Sequence, residues 1–465
     1  MKKAILLTVL LICAYIISDY AFSQSTSFHM TRKGHANFYS STNGGFETLT
    51  NIPITALRCM KCHPGKLANN TPVDTATYQP SCNDCHNFPA GNTVADSICI
   101  RCHSRQKVEK SLFSDKHRSA GMTCVMCHPK EELHADATPY FSTFDTTQGK
   151  NCQTIGCHAT LPVTPNDSLA HSTHNSKLEC ATCHVRSEIT CYNCHFETEI
   201  WQGMRGFKRP IKQLTGFIML GRHVQTGKVG LVNYQSIIYQ GNKTFNAYGP
   251  YYSHSIMTKD STRTCSGCHN NSSIQEYNST GEIYVAKWDS TLTPKTIVHK
   301  QGMIPIPPDY QTSFKFDFAN YMGRMDTTYT NPNLWVYAKT GLTGQQMLNR
   351  YILPLTATQM TKLGSTIGIT PINTEVPGNF DLKQNYPNPF NPTTKIRFSI
   401  PKSSNVSIKV YNSLGREVAA VLINEDLKAG NYEVEFAGTY LNSGVYFYKL
   451  TTQEFSKTMK MMLVK

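Results

Sequence analysis

"CATCHVRSEITCYNCH", residues 180–195, holds four cysteines and two histidines and repeats one five-residue unit, Cys-x-x-Cys-His, eleven residues on. The unit occurs seven times in the chain: CMKCH (59–63), CNDCH (82–86), CIRCH (99–103), CVMCH (124–128), CATCH (180–184), CYNCH (191–195) and CSGCH (265–269). An eighth pair, CQTIGCH (152–158), spaces its cysteines by four residues and again puts histidine directly after the second. These pairs consume sixteen of the seventeen cysteines. The other, Cys13, lies in an N-terminal apolar run.

One chemistry needs this unit. Two thiols add to the two vinyl groups of haem as thioethers, and the adjacent imidazole reaches the iron from one side. A disulfide framework has no use for a histidine after every second cysteine, and a zinc ribbon needs a partner pair rather than an invariable neighbouring imidazole. Eight covalently attached haems c are therefore expected. Their thioethers fall to Cys59 and Cys62, Cys82 and Cys85, Cys99 and Cys102, Cys124 and Cys127, Cys152 and Cys157, Cys180 and Cys183, Cys191 and Cys194, and Cys265 and Cys268. The proximal imidazoles are His63, His86, His103, His128, His158, His184, His195 and His269.

Motif starts advance by 17 to 28 residues as far as Cys180, then by 11, then by 74 to Cys265. Eight macrocycles so close in sequence must form much of the core themselves. The expected fold of residues 24–300 is a multihaem cytochrome c domain: loop-rich, with short helices, few strands and a haem-packed interior. Such crowding keeps porphyrins near enough to pass electrons along.

Each iron wants a second axial ligand, and nine histidines lie outside the motifs. His29 and His35 compete near the start of the mature chain, and His29 is left out. The expected distal set is His35, His117, His134, His171, His174, His223, His254 and His299. Ligation by two histidines leans toward low reduction potentials, since methionine would raise them.

The formal net charge is +14. Eight haems bring roughly sixteen propionate charges, so the basic residues are expected to neutralise these. No Lys/Arg block of five or more exists, and no nucleic-acid partner is expected. Lys2 and Lys3 precede an apolar run from Ala4 to Ile17, and Ala21-Phe22-Ser23 offers small residues for cleavage. Residues 1–23 read as a secretory signal peptide, with no membrane-spanning segment expected in the mature chain.

Between His195 and Cys265 lies a cysteine-free insert whose segment "KVGLVNYQSIIYQGNKTFNAYGPYYSHS" mixes β-branched and aromatic residues with Gly and Asn turns, which predicts a strand pair. Two roles stand open for it: a flap carrying His223 and His254, or a surface hairpin over haem edges. Residues 301–375 read as an extension or linker, with short helices expected at Gly344–Tyr351 and Ala357–Lys362. From Asn379 cysteine and histidine vanish and period-two alternation begins, with Ile396, Phe398 and Ile400 facing one way and Lys395, Arg397 and Ser399 the other. Glu433 and Glu435 point outward in "YEVEF". Six or seven such strands with turns between them predict a small immunoglobulin-like β-sandwich over residues 376–465.

"FDLKQNYPNPFNPTTKIRFSIP…VYNSLGREV…AGNYEVEF…LNSGVYFYKL…KTMKMMLVK" closely resembles the C-terminal sorting domain of type IX secretion. That resemblance implies recognition by the type IX secretion machinery of a Gram-negative host, export through the periplasm, and delivery to the cell surface or extracellular space. The haem region resembles octahaem c-type cytochromes through its motifs and spacing. That family includes electron carriers and also reductases of tetrathionate, nitrite or related compounds, some of which hold the active haem with lysine. None of the motifs here ends in lysine. The reading favours a carrier exchanging electrons with other redox proteins or extracellular acceptors and donors. A reductase of a small oxyanion with one open haem, and a subunit of a cytochrome filament, are the alternatives.

Overall fold

A computed structural model describes residues 27–31, 33–56, 64–74, 76–128, 130–134, 152, 158, 174, 176–192, 212–239, 243–258, 261–265, 267–269, 271–323, 331–341, 345–364, 369–373, 375–438 and 441–465. The expected signal peptide lies outside these residues.

From Ser27 to His134 the described chain is a series of short helices and turns, the longest being Ser104–Leu112. Their sequence explains their length. Apolar residues are too sparse to support an amphipathic stripe, and Gly44, Gly91 and Gly121 break the chain with positive φ.

After Val185 the character changes. Twelve described strands follow: β1 (Thr190–Tyr192), β2 (Lys212–Leu214), β3 (Phe217–His223), β4 (Val229–Tyr239), β5 (Lys243–Pro250), β6 (Ile283–Asp289), β7 (Thr296–His299), β8 (Gly302–Pro305), β9 (Phe314–Tyr321), β10 (Trp335–Thr340), β11 (Gln346–Leu348) and β12 (Ile352–Leu353). One sheet runs β11-β5-β4-β3-β12 with β8 beside β3, and another runs β10-β9-β6-β7. Between them lies an aromatic core: Tyr192, Phe217, Tyr234, Tyr248, Phe314, Phe316 and Phe318 are each at most 1% exposed. The predicted strand pair is the antiparallel β4–β5 hairpin, in register from Val232 opposite Pro250 to Tyr239 opposite Lys243.

Three expectations are corrected here. Strands are many rather than few, because β-branched and aromatic residues between Val185 and Leu355 build a protein core of their own. The boundary at residue 300 cuts through a folded unit, since β8 pairs in parallel with β3 and β9 in parallel with β6. The helix expected at Gly344–Tyr351 is instead strand β11, parallel to β5, with Tyr248 Oη donating to the buried Gln346 Oε1 at 2.6 Å. Helix Ala357–Gly364 is present.

The C-terminal unit is all β. Its strands are β13 (Ile369–Asn373), β14 (Asp381–Leu382), β15 (Thr393–Ile400), β16 (Ser404–Asn412), β17 (Glu417–Leu427), β18 (Gly430–Ala437), β19 (Gly444–Thr451) and β20 (Ser456–Leu463). They form two four-stranded sheets, β13-β18-β15-β14 and β17-β16-β19-β20. Ile396, Phe398 and Ile400 are buried with Val406, Ile408, Val410, Tyr448 and Leu450, while Lys395 and Arg397 lie outside and both reach Glu433 at 2.7 Å. Alternation alone set this register, because a one-residue slip would put the charged face inward. The Pro-rich "NYPNPFNP" segment is anchored at both ends. Asn385 N–H donates to Tyr448 Oη at 2.8 Å, Tyr448 Oη donates to the Lys383 carbonyl at 2.7 Å, and Phe390 is 2% exposed.

Candidate functional site

Five of the described cysteine–histidine units share one local geometry. The backbone N–H of the histidine donates to the carbonyl of the first cysteine in CNDCH, CIRCH, CVMCH and CSGCH, at 2.8–3.0 Å. CATCH is likewise a single helical turn, Cys180–His184. One turn puts both thiols and the imidazole on one side of a short segment, as double thioether attachment requires. No described Cys-x-x-Cys pair is joined as a disulfide. In CYNCH the backbone differs: Thr190–Tyr192 is a strand, and Tyr192 is driven into the aromatic core, where its hydroxyl donates to the Asp317 carbonyl.

Five motif imidazoles each face an imidazole from outside the motifs. The ring centroids are 6.1 Å apart for His103 and His29, 5.9 Å for His86 and His134, 5.9 Å for His158 and His117, 6.4 Å for His128 and His254, and 6.1 Å for His269 and His174. Two metal–nitrogen bonds of about 2 Å plus two ring radii of about 1.1 Å would put the centroids of two imidazoles on one iron about 6.2 Å apart. The observed spacings match that gap. Among the described residues no three His, Cys, Asp or Glu side chains converge as a zinc site would require. The donor set therefore fits a haem slotted between paired imidazoles, with thiols at its edge.

Of the expected distal histidines, His117, His134, His174 and His254 take such positions. His29, which the sequence reading passed over, takes one too. Nothing in the sequence separated it from His35, six residues on.

His223 does something else. It is 2% exposed, its Nε2 lies 2.8 Å from the Leu231 carbonyl, and its Nδ1 is 2.9 Å from Glu179 Oε1, off the line of a ring N–H bond. Gly230 makes room for this pair, since a Cβ there would meet Glu179 Oε2 at 2.6 Å and His223 Cε1 at 2.7 Å. His299 Nε2 is 2.6 Å from the Thr215 carbonyl and 2.7 Å from Gln301 Nε2. The carbonyl of His184 accepts from Met257 N–H at 2.7 Å. Cys59, Cys62, His63, Cys157, His171, Cys194 and His195 lie outside the described residues, as do the side chains of His35 and Cys191.

Neighbouring motifs are tied together. Ala68 N–H, in the loop after the first motif, donates to the Asn83 carbonyl at 2.8 Å, and Arg101 Nη1 donates to the carbonyls of Lys66 and Leu67 at 2.9 and 2.7 Å. Cys124 N–H donates to Asp96 Oδ1 at 2.8 Å. Burial, with the nearby charges of His128 and His254, holds His103 below the ordinary imidazole value.

The His254 segment is held by a buried carboxylate. Glu109, in helix Ser104–Leu112, is fully buried, and its Oε1 accepts from Tyr251 Oη at 2.8 Å and Ser253 Oγ at 2.9 Å. Its Oε2 accepts from His254 N–H at 3.2 Å and lies 3.5 Å from His254 Nδ1. Burial opposes its ionisation, but hydrogen bonds from His254 and Tyr251 outweigh that and keep the carboxyl below its usual value.

A search of curated proteins finds no match for the chain. No described helix is long and apolar enough to cross a membrane. The secretion system C-terminal sorting domain family matches residues 384–465, the greater part of the β-sandwich, so the chain ends in a type IX sorting domain that directs it to the cell surface or extracellular space.

Proposed function

We propose that this protein is an exported octahaem c-type cytochrome that passes electrons along closely set haems, most of them held between two histidines. The observation that carries the reading is the set of five imidazole pairs, each joining one motif histidine to one outside the motifs. Four histidines outside the motifs remain: His35 and His171 are assigned to haems without a described pair, while His223 and His299 both turn Nε2 to a backbone carbonyl, of Leu231 and of Thr215. Haem iron supplies the one-electron step when bound. The paired histidines would hold the iron, and Arg101 and Asp96 join neighbouring segments.

Imidazoles on both faces leave no exchangeable position at those five sites, which favours a carrier over a reductase. The sorting domain delivers the protein where other redox proteins or extracellular acceptors can meet it. A reductive titration of the mature holoprotein tests this. Eight electrons per chain, with all haems low-spin and indifferent to carbon monoxide and nitrite, is the expected result. A high-spin haem that binds nitrite would move the protein to the oxyanion reductases.

A further inference from the structure

The described imidazole pairs are not electrostatically alike. At CVMCH both rings meet a carboxylate through Nδ1. His128 Nδ1 lies 2.8 Å from Glu132 Oε1, one helical turn further along the chain, and His254 Nδ1 lies 3.5 Å from Glu109 Oε2. His269 Nδ1 faces the backbone carbonyl of Lys362 at 2.9 Å, and His86 Nδ1 is buried with no hydrogen-bonding partner among the described residues.

A carboxylate on the outer nitrogen pulls the N–H proton and makes the inner nitrogen a more basic ligand. A more basic ligand stabilises ferric over ferrous iron. Glu109 is well suited to this, because Tyr251 and Ser253 fix one oxygen and the His254 backbone fixes the other. Its charge acts from a site closed to water, where screening is least. Glu132 is half-buried and reaches His128 along a short helix, Lys130–His134.

We infer that Glu109 and Glu132 together set the haem at Cys124 and Cys127 to a low reduction potential, so that it gives up its electron more readily than a haem without such carboxylates. The inference rests on the haem reading above. Both glutamates act through the ligands and are positioning residues.

The test is a spectroelectrochemical titration of the holoprotein carrying Glu132→Gln, Glu109→Gln or both, with Glu454→Gln in the sorting domain as a charge control. His254→Met marks the wave of this haem, because methionine raises the potential of the iron it binds. Each glutamine is expected to ease reduction of that one haem roughly tenfold, about 59 mV for a one-electron couple, with the double variant moving further and the control not at all. Glu132 lies nearer the surface, so its variant reads the effect even where Glu109→Gln fails to fold. An unmoved wave in Glu132→Gln, with eight haems still attached, overturns the inference alone. Wild-type protein with no haem at Cys124 and Cys127 overturns the reading beneath it as well.

Discussion

Replacing His29 and, separately, His223 with alanine separates two roles that the sequence could not distinguish. His29 is exposed and its ring lies 6.1 Å from that of His103. On the proposed reading its loss takes away one axial ligand and little packing. One haem in eight is expected to turn high-spin and to bind one carbon monoxide per chain, with the melting temperature little changed. His223→Ala empties the site of a buried ring, 2% exposed, and removes its contacts to the Leu231 carbonyl at 2.8 Å and Glu179 at 2.9 Å, which keep Tyr251 N–H and Thr226 Oγ1 as partners. Truncating a large buried side chain to alanine costs about 2–5 kcal/mol. That lowers the melting temperature by roughly 5–15 °C, with every haem still low-spin. Electron spin resonance, carbon monoxide titration and calorimetry on the two variants read these outcomes. A His29→Ala protein with only low-spin haems, beside a His223→Ala protein with a new high-spin signal, would refute the assignment.

Three further outcomes follow from the same geometry. Tyr448→Phe leaves Asn385 N–H and the Lys383 carbonyl without their hydroxyl partner, and is expected to destabilise the sandwich by about 2–4 kcal/mol, read by hydrogen exchange at its strands. Hydrogen bonds from Lys383, then Lys457, lower Asp381 to about 2, below its unfolded value. Its contribution is therefore present above about pH 4 and lost as pH falls through about 2; because the group is partly exposed it amounts to less than about 1 kcal/mol, and Asp381→Asn should flatten the acid limb of the urea midpoint by that much. Deleting residues 384–465 should leave the holoprotein in the periplasm, as cell fractionation and haem staining would show; arrival at the surface without them would contradict the sorting assignment.

What was legible in the sequence divides along physical lines. The sandwich was readable because period-two alternation in "KIRFSIP" leaves one register that buries Ile396, Phe398 and Ile400. The proposed attachment points come from the sequence because thioether chemistry fixes residue type and spacing within five residues. Distal histidines carry no such local constraint. His117 and His174 lie close before later motifs, yet His29 meets His103 across 74 residues of chain, and proximity of that kind is made by the fold. His223 shows the converse, a histidine at a suitable place in sequence whose ring is spent on Glu179 and Leu231. The extent of the central sheets was hidden because β8 and β9 pair in parallel with strands far earlier in the chain. Glu132 could have been found from its i+4 spacing to His128, whereas Glu109 reaches His254 only through tertiary packing.

The central claim is covalent: sixteen thiols spent on eight haems. Intact-mass spectrometry of the mature chain under denaturing, reducing conditions tests it most directly. The expected mass is that of the polypeptide plus eight haems, with no free thiol left to alkylate. A mass equal to the amino acids alone, with sixteen cysteines open to alkylation, would contradict it.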